Sequence, residues 1–435
     1  MKVGILGGGI TGLALGIFLK EKNIDFEILE KENECGGLCR SIHENGFILD
    51  YGGHVLWSGD KEILNFLLSF LQNNKVQHTR KTKIFYKGKY IKYPFENGLS
   101  ELSVEERLEC LTDFIKAIIK REKENLEPKN FEEWIYYTFG KAIAEKYLIP
   151  YNKKIWKFDL DKLGLDWIKI KDRLPNPNPE DIIKSALGLE TEGFTSQLIF
   201  YYPQYGGFGA LVNAMESKIS ENIIKKFEVK KVIKIKNKWI VSDGENKREY
   251  DILISTIPIM DLINSLDNVP AEVKKATENL KFNSLITVSI GLDSDVQEYH
   301  WVYIPDMDVI SHKINFPSIY SSNVAPKGKS LIVADITCRF LDKFWLMSDE
   351  DLIKEVVEKL HEKKILDKNK VSFAKVVKSK YAYVINDSNY ERNLNIIRKF
   401  IDNLGIKLCG RFSEFKYLNV DACVRSAKNL IESYF

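Results

Sequence analysis

The chain has 435 residues, 44% hydrophobic and 12% aromatic, which is enough for two or three domains with a sizeable core and excludes a disordered chain. Its 64 basic and 61 acidic side chains leave a net charge of +3, which excludes a general electrostatic affinity for nucleic acid or a membrane surface. The six cysteines, at positions 35, 39, 110, 338, 409 and 423, form no CxxC pair and read as reduced thiols of a cytoplasmic protein, with no metal site expected.

The first nineteen residues are apolar with one Lys, but glycines punctuate the run and a small-residue cleavage site is missing, which argues against a secretory leader. No later stretch reaches the ~18 continuous apolar residues of a membrane span. Residues 2–6 read as a short buried strand, 11–21 as a helix and 25–29 as a second strand. Apolar positions at helical spacing over 60–72, 104–122 and 130–148 make 97–190 a mostly helical insertion. Three prolines at alternate positions keep 173–179 irregular. Strand-like runs return over 226–256, then at 285–292, 300–304, 330–337 and 373–384, with a helix at 350–363 before the last. A helix at 388–403, a strand at 406–409 and a helix at 421–433 complete the pattern.

The turn Gly7-Gly8-Gly9-Ile10-Thr11-Gly12 links the first strand to the first helix, and Glu30, with Lys31 beside it, closes the second strand eighteen residues beyond Gly12. In that context the spacing is a dinucleotide-binding fingerprint. Gly7 permits the tight turn, Gly9 lets a pyrophosphate approach, and Gly12 allows close packing of helix on strand. The helix start supplies free N–H groups and partial positive charge. Glu30 can accept from ribose hydroxyls and repels a 2′-phosphate, which disfavours NADP.

The next segment selects FAD over NAD. Residues 34–40 read Glu-Cys-Gly-Gly-Leu-Cys-Arg, and the second glycine pair lets the chain fold back over a flavin ribityl and pyrophosphate. Gly37 and Leu38 lie in that fold-back, and Arg40 can neutralise phosphate or lie near the flavin. This arrangement resembles the amine-oxidase and protoporphyrinogen-oxidase-like FAD superfamily. The resemblance implies an α/β architecture: a Rossmann-like, two-dinucleotide-binding FAD domain from 1–96, 191–270 and 386–435, the helical insertion 97–190, and a second antiparallel sheet over 271–385. It also implies that Gly410 and the helix start at Asp421 complete the flavin site. Ser255-Thr256-Ile257-Pro258 resembles the family's strand-end turn, and Val232 its backbone contact to adenine.

A narrower likeness follows. Gly52-Gly53-His54-Val55, Tyr93-Pro94-Phe95, Pro150-Tyr151-Asn152-Lys153-Lys154-Ile155-Trp156, Arg173, and Gly410-Arg411-Phe412 with Tyr417-Leu418-Asn419-Val420-Asp421 occur in that order. Together they resemble UDP-galactopyranose mutases, especially the eukaryotic type. The resemblance places Gly53 and His54 beside the flavin, Tyr93 on the uracil with Phe95 nearby, and Asn152 and Trp156 along the sugar and phosphate. Arg173 and Arg411 clamp the diphosphate. Tyr417 reaches a phosphate oxygen, and with Asn419 and Val420 it also borders the cofactor. Each aromatic alone fits a core position, and their joint order carries the functional reading. Paired arginines suit a diphosphate independently, because guanidinium is a planar fork that keeps its proton. Two positions depart from the pattern: His312 stands where the family has an arginine, and Glu96 replaces the glutamine after Tyr-Pro-Phe. Both are compatible with a different nucleotide-sugar or an unrelated substrate.

No Ser-His-Asp set, catalytic carboxylate pair or metal constellation is present in the sequence, as expected where a cofactor carries the reaction. The implied activity is a pyranose/furanose isomerisation of a UDP-sugar on reduced flavin, with His54, Arg173 and Arg411 as its catalytic side chains. An external reductant such as NAD(P)H and self-association are both compatible with the sequence. The alternatives are an FAD-dependent oxidoreductase removing hydride from an amine, a polyene or a porphyrinogen, and a flavin-binding partner without turnover. Arg173→Ala and Arg411→Ala are each expected to weaken UDP-sugar binding by about 1.5 kcal/mol or more. Titration calorimetry checks this, and an unchanged affinity in both variants removes the clamp.

Overall fold

The computed structural model describes residues 1–124, 127–165, 178–191 and 197–435. A five-stranded sheet organises the nucleotide half, in the order Lys407–Leu408, Ile252–Ser255, Lys2–Leu6, Asp25–Leu29, Ile223–Ile224, and every pairing in it is parallel. Val3, Ile5 and Leu6 are wholly buried, as a strand covered on both faces requires. The helix Ile10–Glu21 is buried continuously from Ile10 to Leu19. It packs between the strand Asp25–Leu29 and the last helix, Val420–Tyr434, so it has no polar face. The turn between strand and helix closes tightly: a Cβ on Gly12 would stand 2.0 Å from the carbonyl oxygen of Gly7. A three-stranded antiparallel sheet, Lys231–Ile235, Lys238–Ser242 and Lys247–Tyr250, packs alongside.

The second large sheet has seven strands, in the order Val371–Ile385, Lys281–Leu292, Ser330–Cys338, Lys313–Asn315, Trp301–Tyr303, Thr82–Tyr86, Lys89–Lys92. It is antiparallel except where Thr82–Tyr86 enters parallel to Trp301–Tyr303. Its outer two strands therefore come from the first hundred residues. The helix Asp349–Glu362 covers one face through Leu352, Val356 and Leu360.

The insertion contains Val104–Glu124, Phe131–Phe139, Lys141–Ile143, Ile149–Trp156 and Pro179–Ala186. The periodicity over 130–148 is thus split. Asn130 caps the first piece by accepting from the Glu133 N–H, and the piece ends at Gly140, whose φ of 76° leaves the helical region. A π-helical turn at Ala144–Leu148 then leads into Ile149–Trp156. Of the irregular stretch expected at 173–179, residues 173–177 lie outside the described residues, and Arg173 with them.

Two polar anchors position the cavity described below. Asp50 accepts from the Ser41 hydroxyl, the Tyr202 hydroxyl and the Phe208 N–H, which fixes the start of the Gly52–His54 loop. Lys154 is 2% exposed, and its ammonium donates to the carbonyls of Ile304, Asp306 and Ser311 at 2.7–2.8 Å. Burial pushes Lys154 down to about 7, with Lys157 adding repulsion and Asp306 and Asp308 opposing it. Asn283 completes the latch by donating to the carbonyls at Ile155 and Trp156. Lys154→Met strands three carbonyls and is expected to destabilise the protein by about 2–4 kcal/mol in urea unfolding. A loss below about 1 kcal/mol would mean that the latch is dispensable.

Candidate functional site

A cavity of about 470 Å³ opens where the nucleotide domain, the insertion and the seven-stranded sheet meet. The nucleotide side contributes Gly9, Ile10, Thr11, Gly37 and Leu38 to its wall, and the loop after Asp50 contributes Gly53 and His54. The insertion contributes Asn152 and Trp156, the sheet contributes His312, and Tyr93 stands just after the sheet strand Lys89–Lys92. Arg411, Tyr417, Asn419 and Val420 come from the C-terminal segment. The fold thus brings to one place residues spread from position 9 to position 420.

Other expected residues stand behind this wall. Gly7 and Gly12 form the turn, and Gly410 sits against Thr11, where a Cβ would lie 2.5 Å from the Thr11 hydroxyl. Glu30 is buried and accepts from the N–H groups of Gly8 and Glu32 at 2.7 and 2.9 Å, so the turn itself holds its carboxylate. Lys31 is exposed. Arg40 lies over the Tyr51 ring at 4.8 Å and donates to the Gly37 carbonyl, bracing the second glycine pair. Val232 is buried in the antiparallel sheet and bridges to Leu266. Phe95 is wholly buried, stacked 5.3 Å from Tyr147.

The residues present fit a flavin dinucleotide. No atom lies within 4 Å of a Cβ built on Gly9, so open space stands over the turn. The helix that starts there has no side-chain cap and no acid in its first turn. The last helix, N-capped by Asn419, also lacks a side-chain cap bond, and its start borders the same cavity. Two sets of first-turn N–H groups therefore await acceptors at one site. The strand-end turn joins them: Thr256 donates to the carbonyls of Leu6 and Gly7 and lines the cavity.

Charge is concentrated at the centre. Lys313 and Asp335 are cross-strand partners, with Nζ 3.3 Å from Oδ2, and Asn315 donates to the same oxygen at 2.8 Å. Burial alone would lower Lys313, but Asp335 holds it above its ordinary value. The Gly53 backbone lies directly on this group, where a Cβ would be 2.2 Å from Asn315 Oδ1 and 2.8 Å from Lys313 Nζ. His54 stacks on Phe208 at 5.2 Å, and its Nδ1 is buried with no hydrogen-bond partner among the described residues. Burial, then the charges of Lys313 and Arg411, push its imidazole down to about 4. Arg411 donates to the carbonyls of Leu418 and Ala382 and lies 4.4 Å over the Tyr417 ring. Cys39 and Cys423 also face the cavity, and burial raises both thiols, so they stay protonated.

On the insertion side Tyr93 packs on Tyr303 at 4.9 Å, and the Arg80 guanidinium lies over the Tyr93 ring at 5.3 Å. Tyr151 joins Tyr303 at 5.2 Å and Tyr147 at 5.5 Å. Asn152 and Trp156 bond each other, the indole N–H donating to Oδ1 at 3.2 Å, while the Asn152 amide donates to the Leu148 carbonyl. His312 takes a backbone bond to the Asp335 carbonyl and faces Thr337.

Lys313, Asp335, Tyr303, Tyr147 and Tyr383 are site residues that the sequence reading missed. Lys313 is the immediate neighbour of His312, and the opposite charge at Asp335 was the available signal. Pairing the two required strand register, which joins Lys313 to Asp335 across two antiparallel strands.

His54 has a folded pKa below its ordinary 6.5, so its stabilising contribution is present above pH 6.5 and is lost as the pH falls towards 4. Over that window the protein is expected to lose roughly 3 kcal/mol relative to His54→Gln, measured by urea unfolding at several pH values. A difference that stays flat with pH would show that His54 is not held neutral.

The profile of the family described as "Flavin containing amine oxidoreductase" matches residues 10–387. Coproporphyrinogen III oxidase of Bacillus subtilis (strain 168) is 23% identical over 401 residues, covering 84% of this chain and 83% of that protein. UDP-galactopyranose mutase of Mycoplasma pneumoniae is 26% identical over 168 residues, 37% of this chain and 41% of that protein. Among solved structures, a reduced UDP-galactopyranose mutase shares the fold with a TM-score of 0.91 at 22% identity, over 99% of this chain and 93% of that one. No helix among the described residues is long and apolar enough to cross a membrane, and no cluster of three or more His, Cys, Asp or Glu among them could hold a metal. With its glycine turn opening onto a cavity fitted for a dinucleotide, this chain belongs to the family of flavin-containing amine oxidoreductases and is a flavin-dependent enzyme with FAD as its cofactor.

Proposed function

We propose that this flavoenzyme is a nucleotide-sugar pyranose/furanose isomerase of the UDP-galactopyranose mutase type. The observation that carries the reading is the position of two permanent cations, Lys313 and Arg411, around neutral His54, in a cavity that continues into a cluster of tyrosines. Cations in the middle and flat rings at one end match the charge and shape of a nucleoside diphosphate. Reduced FAD supplies the electron-rich centre for covalent chemistry at the sugar.

The side chains do the rest. Arg411 and Lys313 receive the diphosphate charge that develops as the sugar–oxygen bond breaks, and Arg173 is assigned to the same task. Arg411 is already oriented by two backbone carbonyls and the Tyr417 ring, so little reorganisation is required. His54 stays neutral in the cavity wall, beside the nucleotide turn. Tyr93 offers a base platform, and Asn152 with Trp156 borders the sugar. We place the enzyme in the cytoplasm, with an external donor such as NAD(P)H keeping it reduced.

A second reading, hydride removal from an organic donor, draws support from the likeness to coproporphyrinogen III oxidase over 84% of this chain. Incubation of the dithionite-reduced protein with a panel of nucleotide-sugars, followed by chromatography, separates the two. Pyranose–furanose interconversion is expected only with reduced enzyme, and Arg411→Ala is expected to slow it at least a hundredfold, about 2.7 kcal/mol of transition-state stabilisation. If no sugar reacts and a porphyrinogen or amine instead bleaches the oxidised protein, the oxidoreductase reading stands.

A further inference from the structure

One side chain in the cavity wall has no part in the chemistry above. Glu96 is 1% exposed, and neither carboxylate oxygen has a hydrogen-bond partner from another residue among those described. Burial pushes its carboxyl up to about 7, and no cation among the described residues acts to lower it. It shares its part of the wall with Tyr93, Tyr147 and Tyr151, and its charge acts on the Tyr147 hydroxyl. A buried carboxylate without donors is unfavourable, and such an orphan facing a cavity is relieved when a ligand supplies them.

The chemistry of that ligand group is narrow. Above about pH 7, where its carboxyl is ionised, Glu96 sets lone pair against lone pair with a phosphate or a ring carbonyl. An ionised carboxylate accepts through two oxygens in a fixed fork and is matched by two parallel N–H groups. Uracil presents a single N–H between two carbonyl oxygens. Adenine and cytosine set an amino group beside a ring acceptor. Guanine alone among the bases places two adjacent donors, N1–H and the 2-amino group, on one edge.

We infer that Glu96 makes this a guanine-nucleotide site, its two carboxylate oxygens accepting from N1–H and the 2-amino group while the neighbouring tyrosines cover the ring. The inference rests on the nucleotide-sugar reading and names its base. The diphosphate then extends towards Arg411 and Lys313. Glu96 acts by selection as well as attraction, since uracil oxygens at the same place meet a negative charge.

The test is a titration of GDP and UDP into the oxidised, FAD-loaded protein, read by calorimetry and by the flavin absorbance change. GDP is expected to bind at least tenfold more tightly than UDP. Glu96→Gln, which offers one acceptor in place of two, is expected to bring the ratio below about threefold with flavin content unchanged. If that variant loses flavin, Glu96→Asp replaces it; one methylene shorter, it should weaken GDP about tenfold and leave UDP alone. UDP binding as tightly as GDP overturns the assignment of Glu96 and leaves the nucleotide-sugar reading standing. A GDP preference that neither variant moves overturns it as well. Failure of both nucleotides to bind overturns the two together.

Discussion

Two helices begin at the wall of one cavity without a side chain to cap either, and much of the chain serves to bring those starts together. The first-turn N–H groups of a helix must find acceptors, and around Gly9 and Asn419 no side-chain oxygen provides them. A dinucleotide phosphate and an electron-rich flavin edge are the natural acceptors. The parallel sheet fixes the first helix, and the first helix packs against the last. Close contact at Gly410 with Thr11 then sets the distance between the two starts. A larger residue at either contact would push the helices apart.

The charge pattern follows from that arrangement. Lys313 stands in a buried sheet because Asp335 and Asn315 hold it there, and Gly53 leaves the backbone room to pass directly over it. This concentrates positive potential where a diphosphate can lie and keeps His54 uncharged. The acid at Glu96 sits among tyrosines with no cationic partner among the described residues, and burial raises its carboxyl to about 7. One cavity therefore holds a cationic region and an isolated carboxylate, a division that a simple anion pocket has no use for.

The nucleotide half was legible in the sequence because its constraints are local. The glycine turn, Glu30 and the strand–helix–strand unit all lie within thirty residues, and the strands at 2–6 and 25–29 have the expected bounds. The long strands Lys281–Leu292 and Ser330–Cys338 of the second sheet were legible for the same reason, as each is rich in apolar β-branched residues. Tertiary facts were not. Arg40 is engaged by Tyr51 and the Gly37 carbonyl, contacts that no spacing announces. Phe95 belongs to the core, and its neighbour Glu96 faces the cavity. The single helix read over 130–148 breaks at Gly140, where the apolar period continues but the backbone does not. Lys313 was hidden because its meaning lies in Asp335, and only strand register joins the two.

The strand Lys407–Leu408 and the helix Val420–Tyr434 complete a sheet whose first strand is Lys2–Leu6. A chain emerging from the ribosome therefore cannot close its cofactor site until synthesis has passed the strand Lys407–Leu408 and the helix Val420–Tyr434. Until then its parallel strands lack an edge partner and its first helix lacks a cover, a state that exposes apolar surface. The cavity wall that holds the cofactor therefore closes only once the helix Val420–Tyr434 can dock on the first helix.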